Sequence, residues 1–75
     1  MTNQLKNKRI EDLPDILTPQ QVADYLGISR KKVYELCQIK PDYGGLKSFL
    51  IGKSRKIEKM TLLLWLESLK EGVLP

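Results

Sequence analysis

A chain of 75 residues with a net charge of +4 suits one small domain with a thin core. With Cys37 as its single cysteine and with no histidine, it has no disulfide framework and no His- or Cys-built metal or catalytic site. The N-terminal "MTNQLKNKRIEDLPD" lacks the apolar core of a signal peptide, and the most apolar run, "MTLLLWL", is too short to span a bilayer, so no membrane partner is expected.

Residues 1–15 read as a flexible polar arm without helical periodicity. Pro14 restricts Leu13 to extended conformations, and Ile10 and Leu13 are the two residues able to tuck onto a core. A first short helix then announces itself. Thr18 is an N-cap, Pro19 stands at the first helical position, and Gln21 completes a capping box. Leu17 and Val22 are placed as a hydrophobic staple, and Gly27 as the left-handed residue that stops the helix. After Ile28, Ser29 caps a second helix whose inner face is Val33, Leu36 and Cys37. Cys37 reads as apolar filler, a thiol suited to a reducing cytoplasm.

Pro41, Asp42, Gly44 and Gly45 mark a loop. "KSFLI" and "RKIE" flank "GKS" and predict a β-hairpin, with Phe49, Ile51 and Ile57 facing the core. The last helix is expected from Lys59 to Lys70. Leu62, Trp65, Leu66 and Leu69 form its inward stripe, and Gly72 ends it. Residues 72–75 are a short tail.

The charge distribution says more than its total. Between Ser29 and Lys59, nine cations face three anions, a net of +6, while each flanking segment is slightly acidic. That is the footprint of a polyanion binder, although a merely solvated basic face would carry the same charges. Arg30, Lys31 and Lys32 open the second helix, where the helix dipole disfavours cations by about 0.3–1 kcal/mol each. Phosphates would reverse the sign of that term.

The spacing supplies the geometry. Two helices crossing steeply over a tight turn need a small residue at the crossing, Ala23, a residue tolerant of positive φ, Gly27, and apolar plugs in the inner angle, Ile28 and Val33. With those buried, Ser29, Arg30, Lys31, Tyr34 and Glu35 point outward on the half of a helix that enters a major groove. The hairpin contributes Lys47, Lys53, Arg55 and Lys56, which suit phosphate and groove-width contacts. The expected fold class is mainly α with a small β-hairpin: a winged helix-turn-helix built of a helix-turn-helix, a two-stranded wing and a C-terminal helix across residues 16–71.

The residues "LTPQQVADYLGISRKKVYELC" and "SFLIGKSRKIEKMTLLLWLE" resemble the excisionase-type winged helix-turn-helix family, small relatives of the MerR-type DNA-binding domain. The resemblance rests on Leu17–Thr18, Val22–Ala23, Tyr25 to Ser29, Val33–Tyr34, Ile51 to Lys53, Arg55 to Ile57 and Trp65–Leu66. It implies a non-catalytic protein, cytoplasmic and encoded by a bacterium, phage or mobile element. Such a protein binds and bends attachment-site double-stranded DNA and biases an integrase, a tyrosine recombinase, toward excision. Further copies of itself on adjacent sites are the other implied partners. A small transcriptional regulator using the same surface is the alternative. The small size, with neither a ligand domain nor a long dimerisation helix, favours the excisionase.

The candidate DNA contacts are Ser29, Arg30, Lys31, Lys32, Tyr34 and Glu35 on the recognition helix, and Thr18 and Gln20 at the start of the helix-turn-helix. Lys47, Lys53, Ser54, Arg55 and Lys56 are those on the wing. No catalytic residue, metal ligand or cofactor is expected. Two departures from the family pattern stand out. The segment Ile39 to Leu46 is longer and richer in glycine than the compact connection of the family, which leaves the placement of the wing open. Met60, Leu63 and Leu64 form an outward apolar face, suited either to a protein contact or to packing under the N-terminal arm.

Overall fold

The computed structural model describes residues 9–71. Its elements run β1 (Ile16–Leu17), α1 (Pro19–Leu26), α2 (Arg30–Gln38), β2 (Phe49–Ile51), β3 (Ser54–Glu58) and α3 (Lys59–Glu71), with short 3₁₀ turns at Ile10–Asp12 and Pro41–Tyr43. The first part of the expected arm, the tail and the helix stop assigned to Gly72 lie outside the described residues.

Helix α1 begins with the reciprocal cap its sequence encodes. The Gln21 backbone N–H donates to Thr18 Oγ1 at 3.1 Å, and the Thr18 N–H donates to Gln21 Oε1 at 2.9 Å. Leu17 and Val22, the expected staple pair, are both fully buried. The helix ends at Gly27, whose φ of 75° lies in the left-handed region. Gly27 N–H and Ile28 N–H both donate to the Ala23 carbonyl oxygen, at 2.8 and 3.0 Å. The chain reverses within these residues, and Ser29 starts α2.

The hairpin register differs from the sequence expectation by one residue. A three-residue "GKS" loop would pair Phe49 with Ile57 and send Phe49 and Ile51 inward. The turn instead contains only Gly52 and Lys53, with Gly52 at φ 63°, and Ile51 pairs with Ser54. Leu50 therefore pairs with Arg55 and shares the face of Ile57, because directly paired residues point to the same side and alternate along each strand. Phe49 and Ile51 fall on the outer face, 39% and 58% exposed. Leu46, just ahead of the strand, is completely buried in their stead, and its N–H donates to the Leu36 carbonyl at 3.1 Å.

A third strand joins the wing. β1 pairs antiparallel with β3, Leu17 opposite Ile57, so the sheet order is β1-β3-β2. Two residues are too short to show a period in the sequence. The core is Leu13, Leu17, Val22, Ala23, Val33, Leu46, Ile57 and Leu62, with Ile10, Leu36, Cys37, Trp65 and Leu66 packed against it. The end of the expected arm is thus packed onto the core through Ile10 and Leu13, while Glu11 and Asp12 between them are exposed. Two expected inward residues sit further out: Ile28 is 36% exposed at the tight turn, and Leu69 lies beyond the edge of the core.

Lys59 clasps the start of α3 to the N-terminal segment. Its backbone N–H donates to the Asp15 carbonyl at 2.8 Å, its Nζ donates to the Leu13 carbonyl at 2.9 Å, and the Asp15 carboxylate lies 3.8 Å away. Helices α1 and α2, the sheet and α3 together make a winged helix-turn-helix.

Candidate nucleic-acid interface

The N-terminus of α2 is placed by three local facts. Gly27 turns the chain, Ser29 Oγ accepts the Lys32 N–H at 3.1 Å, and Val33 is fully buried under α1. Burying Val33 points Arg30, Lys31, Lys32, Tyr34 and Glu35 outward, and all five are exposed. The first turn of α2 contains no acidic residue. Among the described residues, Arg30 and Lys31 have neither an ion pair nor a side-chain hydrogen bond. Lys32 Nζ lies 3.7 Å from the Glu35 carboxylate, an exposed i,i+3 pair of the kind worth about 0.2–0.5 kcal/mol at most. Among the described residues, nothing therefore compensates the charge of Arg30 and Lys31 at the start of this helix.

The two candidates at the start of α1 are differently placed. Thr18 is half-buried and its hydroxyl is engaged in the cap, while the exposed Gln20 carboxamide donates to the Asp24 carboxylate at 3.0 Å. On the wing, Lys53 stands in the turn itself, and Lys47, Lys53 and Ser54 are exposed. Arg55 and Lys56 are half-buried and point to opposite faces of the sheet. Arg55 Nη1 donates to Ser48 Oγ at 2.6 Å, a partner that nothing in the sequence pattern marks. Lys59, one of the nine central cations, is turned inward to the clasp and does not belong to the outward-facing charge.

The long connection from α2 to the wing is held at three points. Leu46 is bonded to Leu36, the Gly45 N–H donates to the Lys40 carbonyl at 3.1 Å, and the Trp65 indole N–H donates to the Gly44 carbonyl at 2.9 Å. Gly45 has no room for a side chain, since a Cβ there would overlap the carbonyl group of Ile39. The Gly-rich segment thus fastens the hairpin to both α2 and α3.

A family model for the helix-turn-helix domain matches residues 16–70, from β1 almost to the end of α3. The chain belongs to the helix-turn-helix domain family. Membership in this helix-turn-helix family supports sequence-specific DNA binding, and the match takes in both α2 and the whole wing. No curated protein and no solved structure matches the chain. Among the described residues, no group of three or more His, Cys, Asp or Glu side chains is gathered as a metal site, and no helix is long and apolar enough to cross a membrane.

Proposed function

We propose that this helix-turn-helix protein is an excisionase, a recombination directionality factor that binds and bends attachment-site DNA and biases an integrase toward excision. The first turns of α2 enter the major groove, where Arg30, Lys31 and Tyr34 meet base edges and Ser29, Lys32 and Glu35 line the approach. Thr18 and Gln20 lie against the backbone at the start of α1. The wing lays Lys47, Lys53, Ser54, Arg55 and Lys56 along neighbouring phosphates, contacts that position the protein more than they specify sequence. The single observation that carries the DNA-binding reading is the pair of exposed cations, Arg30 and Lys31, without a partner among the described residues at the start of a helix whose dipole disfavours them.

The excisionase role rests on the resemblance carried by Leu17–Thr18, Val22–Ala23, Tyr25 to Ser29, Ile51 to Lys53 and Trp65–Leu66. Exposed Met60 and Leu64, one turn apart on α3, and half-buried Leu63 offer the apolar contact that adjacent copies or an integrase require. Footprinting of the purified protein across its own genomic neighbourhood tests the assignment. Protection of repeated sites beside a recombination junction, with stimulated excision in a reconstituted integrase reaction, supports it. Protection confined to a promoter assigns a transcriptional regulator instead, and absence of any footprint removes the DNA-binding reading.

A further inference from the structure

The wing holds one cation differently from the others. Arg55 is half-buried, and its only hydrogen-bond partner among the described residues is a neutral hydroxyl, Ser48 Oγ, at 2.6 Å from Nη1. No carboxylate lies within ion-pairing distance of it among the described residues. Leu50 is the cross-strand partner of Arg55, and the bond from Arg55 brings Ser48, just ahead of β2, to the same side of the hairpin. Leu50 is 55% exposed, an apolar side chain beside Arg55 on the same pair of strands.

We infer that Ser48 is a positioning residue, holding the Arg55 guanidinium ready to take a DNA phosphate in bidentate fashion while Leu50 rests against the sugar carbons. The inference builds on the DNA-binding reading of the wing. A guanidinium has five N–H donors in a rigid fork, and anchoring Nη1 leaves the Nε–Nη2 edge available for two parallel bonds to phosphate oxygens. A carboxylate in place of Ser48 would neutralise the charge, whereas a hydroxyl fixes the side chain and leaves the charge whole. Immobilising a long side chain before binding removes part of the entropy otherwise lost on association.

The test is a double-mutant cycle with the full chain and a fluorescein-labelled mixed-sequence duplex, followed by anisotropy over a salt series. Arg55→Gln is expected to reduce the slope of log affinity against log salt by about one, the loss of one phosphate contact. Ser48→Ala should weaken binding roughly three- to tenfold with the slope unchanged, since the charge still reaches the phosphate but is no longer held for it. Ser48→Thr should restore affinity. In the Arg55→Gln background, Ser48→Ala should cost nothing further. Arg55→Lys should keep the slope, lose the fork, and become insensitive to residue 48. A Ser48→Ala loss that persists undiminished without Arg55, or no loss at all, overturns the inference. Melting curves of every variant separate a general loss of fold, which would act equally in both backgrounds. Failure of the parent protein to bind the duplex sinks the DNA-binding reading as well. A parent that binds, and that Arg30→Ala weakens, while Ser48→Ala does not, sinks the positioning role alone.

Discussion

The Trp65 indole N–H donates to the Gly44 carbonyl oxygen across 2.9 Å, and this bond makes the last helix the support of the loop that delivers the wing. Trp65→Phe keeps most of the apolar contact and removes the donor, leaving a partly buried carbonyl without its partner. The expected loss is about 0.5–1.5 kcal/mol of stability, read as a lower midpoint in urea. Gly45→Ala is expected to be worse, by the ~1–3 kcal/mol of an overpacked site or more, since the added methyl would meet the Ile39 backbone rather than a movable side chain.

Val33→Asp tests the crossing of α1 and α2. Val33 is fully buried, and the described residues bury no polar or charged side chain that could answer a carboxylate. An unpaired charge there should abolish the folded state, seen as loss of the helical circular dichroism signal at ambient temperature. A folded Val33→Asp protein would mean that the two helices do not meet as described.

Arg30→Ala removes an exposed side chain with no partner among the described residues, so the melting temperature should hardly move. Specific DNA binding should weaken by about 1–3 kcal/mol, and discrimination between the cognate site and single-base variants of it should relax. Competition binding with those variants measures both effects. Unchanged affinity and unchanged discrimination would remove Arg30 from the groove.

Lys53→Ala acts at the turn of the wing and should weaken binding to every duplex alike. With about six phosphates engaged, the parent should show a slope of log affinity against log salt near −5, and the variant a slope smaller in size by about one. A sequence-dependent loss at Lys53 would instead give the wing tip a base-reading role.

Met60→Gln combined with Leu64→Gln replaces two exposed side chains, 62% and 66% accessible, without touching the core. A single copy should bind one site as the parent does. Occupancy of adjacent sites, or stimulation of an integrase, should fall. Equal behaviour in multi-site binding and in excision would leave this face of α3 without a partner role.

The caps and stops of the helix-turn-helix follow from a few neighbouring residues. Thr18 and Gln21 close their box, Gly27 takes the left-handed conformation, Ser29 caps α2, and Ala23 and Val33 are buried on adjoining helices. Each of these depends on backbone conformation and hydrogen bonds within a few residues, so the side chains that satisfy them carry the information by themselves. The cationic start of α2 was legible for the same reason, because burying Val33 dictates which residues of that helix face outward.

What the amino-acid order did not decide was the register of the wing and everything hanging from it. A two-residue and a three-residue turn are both compatible with "IGKSRK", and the difference exchanges the faces of every side chain on β2. Only the tertiary structure selects between them: β1 pairs Leu17 with Ile57, Leu46 fills the core beside them, and Phe49 and Ile51 are left outside. The bonds of Ser48 to Arg55, Trp65 to Gly44 and Lys59 to Leu13 likewise join residues outside one another's local turn. Composition, capping and helical period thus determined the helix-turn-helix and its charge. Long-range pairing, which no short window of sequence encodes, decided which side chains lie on each face of the wing.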